Sequence, residues 1–286
     1  MNLPQNLAAA FPKRRVDLHK RSAGTVTVVG GSSHYIHAPV IAGLGARVAG
    51  AGLVQLVVPD ASRIASGALL PEATFTKQTP ACVPPKADVT VIGMGLSVTP
   101  TSEMLLSRLL SGSTGRFVLD ADALTILANW YARKTIPPPV TSGQTLVLTP
   151  HAGEAARLLA CTSKEIQADR PSAVRRLVER YRSVVVLKGP NTLVAAPDRE
   201  EIFVCEAGNP FMALGGMGDL LAGVLAARWA HLAKNAADDA FTAAASAVWL
   251  HATASDTLVA ATPPEDPSIV NTARAIASIR VQLERS

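Results

Sequence analysis

Six short runs of Val, Ile, Leu and Thr constrain the fold of this 286-residue chain more than any other feature. They are Thr25 to Gly30, Leu53 to Pro59, Asp88 to Gly93, Phe117 to Asp120, Thr145 to Thr149 and Ser183 to Leu187. Each is short enough for a strand and largely apolar, the pattern of strands buried on both faces. Between them lie small, apolar stretches such as Ala38 to Gly50 and Ala123 to Trp130, which suit helices packed closely on a sheet. Thr162 and Glu165 have capping-box spacing and predict a helix through Tyr181. Thr192 to Ala196 and Glu201 to Cys205 form an expected hairpin, and Leu220 to Ala233, Asp238 to Ala260 and a stretch from about Val270 read as helices. The expectation is an α/β fold in one domain, residues 1–286, with a mainly parallel central sheet and helices on both faces. Residues 1–24, broken by Pro4 and Pro12, read as an N-terminal surface arm, and Pro137 to Pro139 as a surface loop.

Several classes of function are disfavoured. The net charge is +5, but Lys and Arg are scattered and only 4% of residues are aromatic, too few to line a nucleic-acid groove. A basic balance that recruits phosphorylated small molecules fits instead. The chain contains no uninterrupted apolar run of the ~18 residues a membrane span requires, and its N-terminus lacks the pattern of a secretory signal. Cys82, Cys161 and Cys205 are odd in number and far apart, giving no disulfide or metal framework. A reducing, cytoplasmic setting follows as the expectation.

The chemistry concentrates in Asn209 to Gly223, N-P-F-M-A-L-G-G-M-G-D-L-L-A-G. Gly215, Gly216, Met217, Gly218 and Asp219 stand where a loop becomes a helix. Glycines let consecutive amides converge, and a helix start adds unpaired N–H groups, so the segment suits an anion. Two roles compete for Asp219: a first-turn acid that compensates the helix dipole, or a general base beside a phosphate pocket. Other strand ends point loops the same way. Gly93-Met94-Gly95 follows the third strand, Asp120 and Asp122 the fourth, and His151 with Glu154 the fifth. His151 is placed to contact substrate and Glu154 to hold a hydrated Mg²⁺ through water, with a first-turn acid as the alternative for Glu154. Lys188-Gly189-Pro190-Asn191-Thr192 ends the sixth strand and suits a nucleotide contact, against the alternative of a solvated lysine. The turn from Gly30 to His34 lacks G-x-G-x-x-G spacing, which disfavours a dinucleotide fold. His251 reads as a structural histidine.

Taken together, these motifs resemble the ADP-dependent NAD(P)H-hydrate dehydratase family. The resemblance rests on Val28-Val29-Gly30-Gly31-Ser32, Gly50-Ala51-Gly52-Leu53-Val54 and Val118-Leu119-Asp120-Ala121-Asp122-Ala123-Leu124. It rests equally on Leu148-Thr149-Pro150-His151 with Gly153-Glu154, on Leu187-Lys188-Gly189 with Thr192, and on Gly208-Asn209-Pro210 through Gly218-Asp219. It implies a ribokinase-like fold and an enzyme, a lyase, that returns hydrated NADH or NADPH to NAD(P)H with ADP, or ATP, as co-substrate and Mg²⁺ as cofactor. By position, Lys188, Gly189, Pro190, Asn191, Thr192 and Gly218 would bind the adenine nucleotide. Ala38, Gly95, His151 and Asp219 would contact the hydrated cofactor. Asp219 would be the catalytic base, with the amides of Gly216, Met217 and Gly218 as an anion hole. The resemblance also implies a homo-oligomer, a tetramer by analogy with relatives, working beside a separate NAD(P)H-hydrate epimerase, because fewer than thirty residues precede the first strand. The chain departs from the family pattern in Gly93-Met94-Gly95-Leu96-Ser97, in Met217, and in the bulky His34-Tyr35-Ile36-His37 before Ala38. The rival functions are a small-molecule kinase of the same fold and a non-catalytic nucleotide-binding protein.

Overall fold

The computed structural model describes residues 3–111, 115–134, 144–235 and 237–285. Among the described residues nine strands form one sheet in the order β3-β2-β1-β4-β5-β6-β7-β8-β9. They are β1 (Thr25–Val29), β2 (Leu53–Val58), β3 (Thr74–Lys77), β4 (Val89–Ile92), β5 (Arg116–Leu119), β6 (Thr145–Leu148), β7 (Val184–Leu187), β8 (Thr192–Ala195) and β9 (Phe203–Cys205). All pairings from β3 across to β7 are parallel, and β7–β8 and β8–β9 are antiparallel. The six expected strands and the hairpin are therefore present. The sequence reading missed β3, whose T-F-T-K is half exposed at the sheet edge and carries little apolar signal.

The helices are α1 (Ala38–Val48), α2 (Asp60–Leu69), α3 (Pro100–Ser111), α4 (Asp122–Arg133), α5 (Ala152–Leu159), α6 (Ser163–Ala168), α7 (Arg170–Tyr181), α8 (Met217–Asn235), α9 (Ala240–Val259) and α10 (Ile269–Arg285). The single helix expected from Thr162 to Tyr181 is two, α6 and α7. The Thr162–Glu165 capping box forms as expected, but Asp169 breaks the helix and caps α7 by accepting from the Ser172 amide at 2.9 Å. Pro171 in the next turn lacks the N–H a continuous helix requires. The expected loop at Pro137 to Pro139 lies outside the described residues.

Because strand side chains alternate, each strand feeds two cores. Val184 and Val186 join one cluster with residues of α1, α8, α9 and α10. Val185 and Leu187 join a second with residues of α3, α4, α5 and α7. Helices thus cover both faces of the sheet. The N-terminal arm is not wholly on the surface as expected: Leu7, Ala10 and Phe11 are buried in the first cluster. The buried Arg228 guanidinium lies 4.4 Å from the Phe11 ring, donates to the Ala10 carbonyl and pairs with Glu284 at 2.8 Å, tying the arm to α8 and α10.

Strand order reverses between β1 and β4, because β2 and β3 lie on one side and β5 onward on the other. In such sheets ligands bind beyond the carboxyl ends of the strands at that switch. There the Gly31 amide donates to the Met94 carbonyl at 2.9 Å, which joins the loops after β1 and β4. Two glycine contacts then fix α1 against α8. A Cβ on Gly45 would overlap the Leu220 carbonyl, and one on Gly223 would overlap the Ala42 carbonyl, so the two backbones touch directly.

Candidate active site

The start of α8 stands at the centre. Gly216 has φ +95°, in the left-handed region open to glycine, and turns the chain into the helix. A Cβ there would lie 2.9 Å from Ile41 Cδ1, which sets the glycine loop beside the first turn of α1. The Met217 amide donates to the Leu214 carbonyl at 3.3 Å and the Leu220 amide to the Gly216 carbonyl at 2.9 Å. The amides of Gly218 and Asp219, in the first turn, have no intrahelical carbonyl to meet and are available to an anion. The Met217 amide is thus already engaged, unlike the free donor the glycine pattern suggests, and the Met217 side chain is buried in the core.

Lys188 reaches this point from the end of β7. Its Nζ lies 2.7 Å from Asp120 Oδ1, 3.8 Å from Glu154 Oε2, and 3.3 Å from where a Cβ on Gly218 would stand. The lysine is therefore not solvated. Burial works against its charge, and the Asp120 and Glu154 carboxylates more than offset that, so its pKa is raised. The sequence places Asp120 on the rim; the structure makes it the partner of Lys188, fixed by the Thr149 hydroxyl at 2.7 Å. Ala121, at φ 50° and ψ −117°, separates the two carboxylates, a strained backbone for a residue with a Cβ. Asp122 instead accepts from the Ser97 amide at 2.7 Å and so holds the loop after β4.

Asp219 is partly buried beside these charges. Burial first, and then Asp120, push its carboxyl up to about 7, while Lys188 pulls the other way. A carboxylate with that pKa near neutral pH suits a proton acceptor.

His151 and Glu154 do form a helix start. His151 Nδ1 accepts from the Gly153 and Glu154 amides at 3.0 and 3.3 Å, and Glu154 Oε2 accepts from the His151 amide at 2.8 Å. With Nδ1 an acceptor, the half-exposed ring carries its proton on Nε2, which lies 3.4 Å from Glu154 Oε1. Burial, then Lys188, lower the His151 pKa below the ordinary imidazole value. Glu154 is 7% exposed, and burial raises its pKa. Capping and facing Lys188 are thus both its work.

The loop Lys188 to Thr192 is a tight connection between β7 and β8. Gly189 and Asn191 have φ +136° and +52°, and Thr192 Oγ1 donates to the Gly189 carbonyl at 2.8 Å. Arg170, at the start of α7, braces the loop by donating to the Leu187 and Lys188 carbonyls at 3.1 and 3.4 Å. No sequence pattern signals that contact, because it joins residues from different elements. Gly189, Pro190 and Asn191 are exposed. On the opposite side Gly95, at φ +64°, is packed against Ala38 and Tyr35. Ala38 and Gly95 thus stand on the β1–β4 side, whereas His151, also expected to contact the second substrate, stands beside Lys188 on the β6–β7 side. His251 is buried in α9, and burial pushes it down to about 4, in keeping with a structural role.

Among the described residues, no group of three or more His, Cys, Asp or Glu could hold a metal ion directly, and no helix is long and apolar enough to cross a membrane. Asp120, Glu154 and Asp219 nevertheless gather around one ammonium, a donor set that fits a cation carried on phosphates and held through water.

Comparison with known proteins agrees with this architecture. An ADP-dependent (S)-NAD(P)H-hydrate dehydratase of Neisseria meningitidis is 37% identical over 250 residues, covering 87% of this chain and 81% of its own length. A bifunctional NAD(P)H-hydrate repair enzyme of Coxiella burnetii is 38% identical over 86% of this chain, which spans about half, 48%, of that relative. The crystal structure of an ADP/ATP-dependent NAD(P)H-hydrate dehydratase from Bacillus subtilis, co-crystallised with ATP and Mg²⁺, superposes with a TM-score of 0.83 at 25% identity, covering 99% of this chain and 100% of that one. A ribokinase-like superfamily protein of Enterococcus faecalis, 23% identical, shares the fold at a TM-score of 0.80, covering 99% and 96% of the two chains. The fold is thus the ribokinase-like one the motifs imply. The family model for NAD(P)H-hydrate dehydratase matches residues 26–273, from β1 into α10, and the chain belongs to that family.

Proposed function

We propose that this chain converts the S form of hydrated NADH or NADPH back to NAD(P)H, driven by ADP, with AMP and phosphate as the other products. The observation that carries the reading is Asp219, at about 7, on the first turn of α8 beside the Lys188–Asp120 pair. In this account Asp219 takes the proton of the ring hydroxyl as that oxygen bonds to the β-phosphorus of ADP and the bond to AMP breaks. The phosphate then leaves with the C–O electron pair, a neighbouring ring C–H gives its proton to water, and the double bond is restored. The amides at the start of α8, with Gly216, Met217 and Gly218 shaping the turn, stabilise charge on the moving phosphoryl group.

Lys188 to Thr192 and Gly218 hold the nucleotide, and Ala38, Gly95 and His151 hold the hydrated cofactor. Mg²⁺, bound with the nucleotide and held through water near Glu154 and Asp120, would neutralise phosphate charge. The protein works in the cytoplasm as a homo-oligomer, beside a separate epimerase that interconverts the two hydrate forms. Support comes from the Neisseria relative, named for the same ADP-dependent reaction.

The test is to incubate the purified protein with hydrated NADH, Mg²⁺ and ADP or ATP while following absorbance of the reduced nicotinamide. Recovery of NADH with release of AMP and phosphate is expected. Absence of recovery together with phosphorylation of a small alcohol would move the assignment to a kinase of the same fold. Nucleotide binding without any turnover would leave a binding protein.

A further inference from the structure

Among the described residues, two aromatic side chains are exposed large hydrophobics, Tyr35 at 60% and Phe211 at 62%. Tyr35 stands in the loop after β1, against Gly95, whereas Trp229, Trp249, Phe241 and Tyr181 are buried. An exposed ring forgoes the burial that stabilises other aromatic side chains, so a ring placed on a rigid support beside a ligand site is available to the ligand.

Tyr35 has such a support. Its amide donates to Ser32 Oγ at 3.4 Å. A Cβ on Gly95 would lie 2.5 Å from Tyr35 Cβ and 3.2 Å from Ala38 Cβ, so the stem of Tyr35 is pressed onto the floor those two residues make. One turn along α1, Ile41 packs against Gly216. Tyr35, Gly95, Ala38, Ile41 and Gly216 therefore form a continuous wall leading to the helix start that carries Asp219. The loop that holds the nucleotide in the reading above lies at the end of β7, away from this wall in the strand order.

We propose that Tyr35 is a specificity-determining residue whose ring stacks on the nicotinamide end of the hydrated cofactor, an inference that rests on the dehydratase reading. The wall ends where the reacting hydroxyl must lie if Asp219 takes its proton, so the ring nearest Tyr35 is the one being repaired. Stacking uses the face of the side chain, and a phenyl ring serves as well as a phenol.

Calorimetry on the wild type, Tyr35→Ala and Tyr35→Phe, with ADP, NADH and reduced nicotinamide mononucleotide as probes, tests this. Tyr35→Ala is expected to weaken both nicotinamide probes about tenfold, the scale of one lost stacking contact, with ADP affinity unchanged as the control for folding. Tyr35→Phe restores binding, and in turnover Tyr35→Ala raises KM for hydrated NADH more than it lowers kcat. Unchanged binding of both probes in Tyr35→Ala would overturn the proposal, as would failure of Tyr35→Phe to restore it. Weakened NADH with unchanged mononucleotide would overturn it as well, by moving the contact to the adenine end. Tyr35-dependent NADH binding in a protein without turnover would sink the dehydratase reading and leave Tyr35 standing. Full turnover with a KM indifferent to Tyr35 would do the reverse.

Discussion

Lys188 and Asp120 form a nearly dry ion pair beneath the start of α8, with Nζ 2.7 Å from Oδ1 and side chains 17% and 2% exposed. The pair joins the ends of β7 and β5, two strands apart in the sheet. It places one ammonium among three carboxylates, and the balance it leaves is felt by Asp219.

Asp219→Asn keeps the size and the helix-start position of the side chain but cannot take a proton. Turnover is expected to fall by about a hundred- to ten-thousand-fold, the usual worth of a positioned base, while nucleotide affinity changes little and the unfolding midpoint at pH 7 rises, because Asn has no charge to bury. In the wild type, the reactive form is the ionised carboxylate. With its pKa pushed up to about 7, kcat should rise with pH through that value. The stability sign is opposite. A carboxyl raised in the folded state binds its proton more tightly there than in the unfolded chain. Its contribution is full below the ordinary carboxylate value of about 4 and is lost as pH rises through about 7. Urea titrations at several pH values should show that slope in the wild type and a smaller one in Asp219→Asn. A pH-independent kcat between 5 and 9 would remove Asp219 from the role.

Removing one member of the ion pair leaves the other charged and buried. Asp120→Ala is expected to lower stability by about 3–5 kcal/mol, the range for a broken buried pair. Lys188→Met, which leaves Asp120 and Glu154 facing each other, should also destabilise and in addition weaken ADP binding. Denaturant unfolding and calorimetry separate the two effects. Loss of stability below about 1 kcal/mol in both variants would mean that water enters and solvates the pair.

Glycines in helices are not equivalent here. Gly223→Ala would drive a methyl group into the Ala42 carbonyl and push α8 from α1, so a loss of about 2 kcal/mol or more is expected, above the 1–3 range usual for overpacking only if the helices cannot separate. Gly67→Ala, in α2 with nothing within 4 Å of the added methyl, should gain about 0.5–1 kcal/mol from helix propensity. Thermal unfolding of the two variants, with midpoints moving in opposite directions, checks the contrast.

The sequence by itself determined the strand runs, the parallel character of the sheet and the glycine segment ahead of Asp219, because those are written in local apolar patterning and in residues with special backbone freedom. It also carried the capping box at Thr162, which is a contact between residues three apart. It overextended that helix through Asp169, where a local side chain took over the backbone hydrogen bond. Only the tertiary structure decided which of Asp120 and Asp122 faces Lys188, that Glu154 both caps α5 and meets the lysine, and that Arg170 braces the loop after β7. It alone also buried the Phe11 end of the arm against Arg228. Each depends on groups brought together from distant parts of the chain. The charge state of Asp219 follows from the same cause, since burial and neighbouring charges, not the carboxyl itself, set where it gives up its proton.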